Sequence, residues 1–274
     1  MVLKPAKLAR GAIVAGIVPR AGARRLHRSP DPRAPALARA TESIRGDGIE
    51  PAEVRWIERI ERRRAEFAAR PDRLVIEGSY PPLGRRRREV RPRRLAHVAS
   101  IHRPWATFLL RLVRELEPRS CIELGASIGI SAAYQGAGLE LNRAGRLVTI
   151  ERIPAFATIA RETLAGLGVG RVEVVTGGID EVLEDVLAEA APIDLAFLDA
   201  AKTRDGALLQ FERLLPHLAP GAALVMDDIH WSREMHGAWR EIRSQERVAV
   251  SVDLWRLGAC LLSAGGASRL GGRP

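Results

Sequence analysis

Cysteine, aromatic residues and long apolar runs are all scarce in this sequence of 274 residues. Only two cysteines are present, Cys121 and Cys260, and both lie in apolar stretches typical of buried strands. This usage indicates a reduced protein rather than a disulfide scaffold or a cysteine metal site. No apolar run approaches the roughly 20 residues that a transmembrane helix requires. We therefore expect a globular protein without a membrane span, located in the cytoplasm.

Positive charge is abundant but unevenly placed. The net charge is +10, and residues 1–100 carry 24 Lys and Arg against 11 Asp and Glu, so the rest of the chain is close to neutral. The densest run is G-R-R-R-R-E-V-R-P-R-R at residues 84–94. Such a run can bind nucleic acid or an anionic surface, or it can be a solvated linker. Because no aromatic residues interleave with it as stacking partners, the linker interpretation is favoured.

Composition divides the first hundred residues into two parts. Residues 1–50 have the composition of a basic leader and linker, with a short apolar patch at 11–18 and many Pro, Arg, Ala, Asp and Gly residues over 28–48. The patch is too short for a signal peptide. Residues 51–99 predict a helical, basic extension. Its helix over 51–69 begins at a first-turn proline and carries an apolar stripe, which can pack on the main domain or form a homodimer contact.

The stretch C-I-E-L-G-A-S-I-G-I-S at residues 121–131 is typical of a strand, a glycine turn and a helix start. Glycine at 125 and 129 allows a ligand to approach the backbone closely. The free N–H groups and positive dipole end of the following helix favour a negatively charged or polar ligand. The alternative is a tight strand-to-helix turn without any ligand.

Strand and helix patterns alternate over residues 100–264, and residues 265–274 have the composition of a disordered tail. A helix over 100–117 precedes five strand–helix units, and two late strands close the domain. This order predicts a doubly wound α/β sheet. The predicted strands are 120–124, 146–151, 172–176, 193–198, 223–226, 248–253 and 256–262.

Residues that could bind a ligand or take part in catalysis fall at the carboxyl ends of these strands, where doubly wound sheets bind ligands. They are Gly125, Glu151, Asp180, Asp199, Asp227 and Asp228. Glu151 follows Gly125 by 26 residues, close to the spacing at which an acid binds ribose hydroxyls. The alternative for Glu151 is an acid that starts the next helix.

With these motifs in place, residues 100–262 resemble a class I S-adenosylmethionine-dependent methyltransferase. E-L-G-A-S-I-G resembles the first motif of that family, and L-V-T-I-E resembles the second. L-A-F-L-D-A-A-K and L-A-P-G-A-A-L-V-M-D-D resemble the fourth-strand and fifth-strand motifs of the cation-dependent O-methyltransferases of the catechol and caffeoyl-CoA type. The resemblance implies a Rossmann-like seven-stranded sheet and S-adenosylmethionine as the cofactor.

The resemblance also implies a role for each matching residue. Lys202 and Asp199 would be the catalytic residues, with Lys202 as the general base. The cofactor would lie against the first turn and the ends of the second, third and fourth strands, at Glu123, Gly125, Ala126, Ser127, Gly129, Ser131, Glu151, Arg152, Gly178, Ile179 and Asp199.

A divalent cation, Mg²⁺ or a similar ion, is implied as well, with Asp199, Asp227 and Asp228 as its ligands. Three carboxylates make a hard oxygen site, and an ion there would lower the pKa of a bound hydroxyl and of Lys202. The chain departs from the family twice: Asp228 stands where Asn is usual, and Ala201 replaces the second Asp of D-A-D-K. The alternative is that the three acids contact the cofactor or cap the following helices.

We therefore expect an S-adenosylmethionine-dependent methyltransferase that acts on the hydroxyl group of a small molecule. One alternative is an RNA methyltransferase that uses the basic N-terminal region. The others are a nicotinamide-dependent oxidoreductase, disfavoured because G-x-G-x-x-G is absent, and a cofactor-binding protein without turnover. Trp105 and Trp231 fit either an aromatic substrate wall or the core, and His230 is either a site residue or a structural histidine.

Overall fold

The computed structural model describes residues 19–76 and 88–265. The apolar patch at 11–18, the first four residues of the arginine-rich run and the tail from residue 266 onward lie outside the described residues. No helix in the described ranges is long and apolar enough to cross a membrane.

Ten helices and nine strands are described in chain order. The helices are α1 (residues 19–27), α2 Ala34–Ser43, α3 Pro51–Ala68, α4 Pro92–Val98, α5 Arg103–Leu116, α6 Ile130–Asn142, α7 Pro154–Leu167, α8 Ile179–Ala190, α9 Arg204–Leu214 and α10 Arg233–Ile242. The strands are β1 Leu74–Ile76, β2 Arg88–Val90, β3 Ser120–Leu124, β4 Arg146–Glu151, β5 Val172–Thr176, β6 Ile193–Leu198, β7 Leu218–Met226, β8 Val248–Asp253 and β9 Gly258–Leu262.

Seven strands form one sheet in the order β5-β4-β3-β6-β7-β9-β8, and β1 pairs with β2 in a separate hairpin. The first five strands of the large sheet are parallel, whereas β9 runs antiparallel to β7 and to β8. The chain builds outward from β3 to β5 and then returns to β6 on the other side of β3. The switch point therefore lies between β3 and β6, where ligands bind in such sheets. The predicted seven-stranded, doubly wound sheet is confirmed.

The apolar residues of the central strands divide between the two faces of the sheet. Cys121 of β3 packs with α2, α3, α5, α6 and α7, whereas Ile122 packs with α8, α9 and α10. All five residues of β3 and of β9 are buried. Continuous apolar strands of this kind are expected where helices cover both faces of a sheet.

Residues 34–43 differ from the linker expected over 28–48, because they form α2, which packs on α5 in the core. Leu37 and Ala38 are buried, although the segment is rich in small residues and lacks a long apolar stripe. Just before α2, the Arg33 guanidinium donates to the carbonyls of Gly221 and, at 2.7 Å, Leu262. These bonds tie the segment to β7 and β9. Local composition missed this helix because its burial depends on residues far away in the sequence.

The predicted helix at 51–69 is confirmed as α3. Pro51 occupies the first turn, and the Glu53 carboxylate accepts the Glu50 backbone N–H at 2.8 Å in a capping box. Glu53 is buried and lies 3.0 Å from the Arg111 guanidinium of α5. The apolar stripe of α3 packs within the main core, against α6 and α7. The homodimer contact stays a prediction.

Replacing Leu37 with alanine tests whether α2 belongs to the folded unit. Leu37 is buried, so Leu37→Ala should lower the free energy of unfolding by about 2–5 kcal/mol. Leu209→Ala is the matched control, because Leu209 is 51% exposed and its loss should cost less than about 0.5 kcal/mol. Urea unfolding followed by circular dichroism measures both. Equal stability of Leu37→Ala and the unaltered protein would mean that α2 does not contribute to the fold.

Candidate functional site

The register of the parallel strands explains why the predicted site residues converge. Leu124 of β3 pairs with Leu198 of β6, which in turn pairs with Met226 of β7. The next residue of each strand, Gly125, Asp199 and Asp227, therefore lies in the same row. Two backbone bonds hold this row, from Asp199 N–H to the Leu124 carbonyl and from Asp227 N–H to the Leu198 carbonyl, both at 2.9 Å.

The glycine turn after β3 has three residues with positive φ: Gly125 at 106°, Ser127 at 49° and Gly129 at 81°. A Cβ on Gly129 would lie 2.9 Å from Cα of Ala160 in α7, so this glycine is required by helix packing as well as by φ. A Cβ on Gly125 would lie 3.1 Å from the Asp199 carbonyl oxygen. The turn is therefore in direct contact with the end of β6, beside the acids.

Glu151 joins the turn as the spacing predicted. Its Oε2 accepts the Ser127 backbone N–H at 2.7 Å, and its Oε1 accepts the Ile153 backbone N–H at 2.8 Å. Burial raises the pKa of this carboxyl group, and backbone donors at Ile153, Ser127 and Arg152 and the charge of Arg152 oppose that rise. A carboxylate oxygen has more than one acceptor position, so Glu151 keeps acceptor capacity for hydroxyl donors. These residues therefore fit a ribose with adjacent hydroxyl groups.

The other predicted cofactor residues lie around this pair. Gly178 and Ile179 begin α8, and the preceding Gly177 donates its N–H to the Glu151 carbonyl at 3.0 Å, so their loop lies beside the end of β4. Arg152 is exposed, whereas Ala126 and Ser131 are buried in and after the turn.

Glu123 is the predicted cofactor residue that the fold encloses. It accepts the Thr149 hydroxyl at 2.6 Å and the Gln135 amide at 3.2 Å, and it has no exposed surface. Burial raises the pKa of Glu123 to about 7. Its visible role is to bind β4 and α6 behind the turn, and its contact with the cofactor stays a prediction.

Lys202 lies between two of the three converging acids. Its ammonium group is 2.8 Å from Oδ1 of Asp199 and 2.7 Å from Oδ2 of Asp228. Ligand atoms of Asp199, Asp227 and Asp228 all lie within 4.8 Å of one another, so the sequence correctly placed them together. Asp228 has a φ of 57°, which is uncommon for a residue other than glycine and recurs at functional sites.

Arg256, which the sequence analysis did not single out, binds the third acid. Its Nε and one Nη donate to the two carboxylate oxygens of Asp227, both at 2.8 Å. Arg256 lies in the turn between β8 and β9, outside all of the strand-end motifs. A single arginine in a hairpin turn carries no sequence signal for a site. Only the antiparallel pairing of Gly258 with Met226 brings it beside Asp227.

The two cations control the ionisation of the cluster. Burial would raise the pKa of Asp227, but the Arg256 guanidinium outweighs that effect and holds the pKa below its usual value. Burial likewise disfavours the charged form of Lys202, yet Asp199 and Asp228 outweigh it and raise the pKa of the lysine. Burial, together with the negative charges of Asp227 and Asp228, outweighs the opposing effect of Lys202 and raises the pKa of Asp199 to about 7.

The lowered pKa of Lys202 was expected beside a bound ion and stays a prediction. In the arrangement described here, the acids stabilise the ammonium form, which donates a proton and cannot accept one. The acids do not fit a divalent ion as they stand. Both oxygens of Asp227 are bound by Arg256, and Lys202 lies between the other two carboxylates. Metal ligation by these residues stays a prediction.

Aromatic and histidine side chains lie on the loops around the acids. His230 is 3.1 Å from Oδ2 of Asp253 and stacks on His236 and Trp255, with ring centroids 4.5 and 4.7 Å apart. Trp231 is 59% exposed, so it is available as a substrate wall. Trp105, at 8% exposure, packs in the core instead.

His102 at the start of α5 is another residue that the sequence analysis missed. Desolvation lowers its pKa, and the charges of Arg256 and Arg64 lower it further, which favours the neutral imidazole.

A cavity of about 450 Å³ lined by Arg33, Glu115 and Asp194 lies at the amino ends of the strands. It therefore does not coincide with the predicted site.

Comparison with known proteins agrees with this geometry. Residues 122–229 match the family model described as a methyltransferase domain. The catechol O-methyltransferase of Mycobacterium tuberculosis is 35% identical over 125 residues, which are 44% of this chain and 53% of that protein. The catechol O-methyltransferase of Niastella koreensis is 30% identical over 124 residues, with 44% and 54% covered. The chain thus spans about half the length of these curated relatives.

A solved structure extends the likeness to the fold beyond that region. The O-methyltransferase of Bacillus cereus, crystallised with S-adenosylhomocysteine, is 19% identical and superposes with a TM-score of 0.54 over 82% of this chain and 97% of its own. The matched residues 122–229 include the glycine turn, Glu151 and all three acids of the cluster. Over this part, the chain therefore matches a methyltransferase domain and is similar to the catechol O-methyltransferases.

Proposed function

We propose that this chain transfers the methyl group of S-adenosylmethionine to a hydroxyl group of a small molecule. One observation carries the proposal: the glycine turn with Glu151 and the cluster of acids with Lys202 meet at one edge of the sheet. The site expected for Cβ of Gly125 is only 3.1 Å from the Asp199 carbonyl oxygen. A cofactor on the turn and an acceptor at the acids would therefore be neighbours.

On the cofactor side, Glu151 would accept the two ribose hydroxyls, and the loop at Gly178 and Ile179 would border the adenine. When bound, S-adenosylmethionine would supply an electrophilic methyl group: the acceptor oxygen would form the new O–C bond, the S–C bond would break with its electron pair left on sulfur, and Oδ2 of Asp199 would take the hydroxyl proton. The contribution of the chain is to hold the two partners in line, which converts a bimolecular reaction into an effectively unimolecular one.

On the acceptor side, Lys202 and Asp199 have bonding capacity left. An ammonium group has three N–H donors, and Lys202 uses two of them on Asp199 and Asp228. Its third donor can bind the acceptor oxygen and stabilise the negative charge that develops there. Asp199 receives Lys202 through Oδ1, so Oδ2 can accept the hydrogen of the acceptor hydroxyl.

The acceptor we favour is an aromatic alcohol. Trp231 and Trp255 are exposed beside the cluster, and flat aromatic surfaces suit a stacked aromatic ring. The names of the two curated relatives, both catechol O-methyltransferases, support the same class. An RNA substrate bound through the arginine-rich run stays the alternative; the described part of that run, residues 88–94, forms β2 and the start of α4.

Binding of S-adenosylhomocysteine tests the cofactor half of the proposal. The unaltered protein should bind it, and Glu151→Gln should weaken the affinity by about 10- to 100-fold, because a hydrogen bond to a charged carboxylate is lost. Glu140→Gln is the matched control, since Glu140 also accepts two backbone N–H groups, from Gly170 and Arg171, but at the other end of the sheet. Isothermal titration calorimetry gives all three affinities. Absence of binding by the unaltered protein would refute the proposed function.

Substitution of Lys202 tests the acceptor half. Lys202→Met removes the donor to the acceptor oxygen, so kcat should fall by about 10²- to 10³-fold while S-adenosylhomocysteine still binds. Lys202→Arg keeps a positive donor and should lose less activity. Transfer of a radiolabelled methyl group to a panel of phenols and catechols provides the rates. If Lys202→Met retains full kcat on an accepted substrate, Lys202 does not stabilise the acceptor oxygen.

A further inference from the structure

The carboxylates at the strand ends already have cations, and both belong to the chain itself. Asp227 is bound through both oxygens by Arg256, and its Oδ1 also accepts the Asp228 backbone N–H at 2.7 Å. Arg256 lies 3.6 Å from Oδ1 of Asp228 as well. The cluster thus contains three carboxylates and two fixed positive charges.

A divalent ion would need the positions that these cations occupy. Mg²⁺ and Ca²⁺ bind oxygen atoms at about 2.0–2.6 Å and need several of them at once. Lys202 lies within 2.8 Å of Asp199 and within 2.7 Å of Asp228, so the space between these two acids is taken. Asp227 could become a ligand only if Arg256 gave up a bidentate, charge-assisted pair.

Arg256 is held in place by its backbone and not only by its side chain. Its carbonyl accepts the Ile229 N–H at 3.1 Å, and its own N–H binds the Leu254 carbonyl at 2.9 Å. The turn also contains Trp255 with a φ of 73°, and Asp253 accepts the Trp255 N–H at 2.8 Å. These bonds join the turn to the segment that carries Asp227 and Asp228, so Arg256 is part of the site rather than a surface arginine that happens to reach it.

We propose that Arg256 and Lys202 together replace a divalent ion in this site, so that methyl transfer proceeds without one. Arg256 is a positioning residue: it neutralises Asp227, so that Lys202 can bind Asp199, Asp228 and the acceptor oxygen. Because Arg256 uses both oxygens of Asp227, added metal gains no complete ligand set. This inference rests on the proposed function for its catalytic part, but the exclusion of metal stands on the geometry alone.

Binding of Mn²⁺ tests the exclusion without any turnover. Electron paramagnetic resonance of the full chain should detect no saturable Mn²⁺ site up to about 1 mM, the range of weak carboxylate sites. Arg256→Ala frees both oxygens of Asp227 and should create a site that Asp227→Asn, added to the same variant, abolishes. Arg171→Ala is the control, because Arg171 pairs with Glu140 at the other end of the sheet. This variant should bind no Mn²⁺. Far-ultraviolet circular dichroism of each variant shows that it is folded.

Two results of the Mn²⁺ measurement would overturn the proposal. The first is saturable Mn²⁺ binding by the unaltered protein that is lost in Asp227→Asn, a measurement that does not depend on the folding of any arginine variant. The second is failure of a folded Arg256→Ala to bind Mn²⁺, because Arg256 would then not be the group that excludes the ion.

Measurements of cofactor binding and of methyl transfer distinguish a failure of this proposal from a failure of the proposed function. S-adenosylhomocysteine should bind equally in EDTA and in Mg²⁺, and methyl transfer should also be equal in both. Arg256→Ala should reduce kcat in EDTA by at least tenfold and recover part of it when Mn²⁺ is added. Normal cofactor binding with activity that is abolished by EDTA would overturn the metal-free reaction alone. Absence of cofactor binding would refute the proposed function and leave the Mn²⁺ result to decide on the site.

Discussion

The candidate site depends on one electrostatic constraint: carboxylates removed from water need partners of opposite charge or several hydrogen-bond donors. The register of β3, β6 and β7 forces Asp199 and Asp227 into one row, and Asp228 follows directly. Lys202 and Arg256 supply the compensation, and each is fixed by the elements around it. Loss of either cation would leave a buried, unpaired charge, which is among the most destabilising changes a folded protein can undergo.

Glu151 meets the same constraint in another way, so the two halves of the site differ in the groups that they can bind. Its partners are the backbone N–H groups of Ser127 and Ile153, with a further backbone bond and the positive charge of Arg152. The cluster at Asp199 and Asp227 instead holds fixed positive charges on side chains that belong to the chain itself. In the proposed function, the first half would accept the ribose hydroxyls and the second would donate to the reacting oxygen.

How far the sequence predicted this arrangement depends on the range of the interactions involved. The positions of the strands and the convergence of Glu151, Asp199 and Asp227 followed from local periodicity, because parallel strands share one carboxyl edge. Helix α2 was missed, since its burial is set by α5 and not by its own composition. Arg256 was missed because an antiparallel pairing on the far side of β7 brings it beside Asp227. The ion pairs of Lys202 with Asp199 and Asp228 were not predicted, because the sequence analysis considered these acids only as metal ligands.

One departure from the pattern of the family that the chain resembles, Asp228, is explained by the charges around it. Aspartate at position 228 instead of the usual asparagine adds a negative charge, and in an ion site an added charged ligand would strengthen metal binding. Here the added carboxylate accepts Lys202 and lies 3.6 Å from Arg256, so it balances the guanidinium rather than an ion. A positively charged side chain cannot dissociate from the site as a metal ion can, and it is aligned before the substrate arrives. Asp228 therefore balances Lys202 directly and Arg256 at longer range, while Asp227 remains the main partner of Arg256.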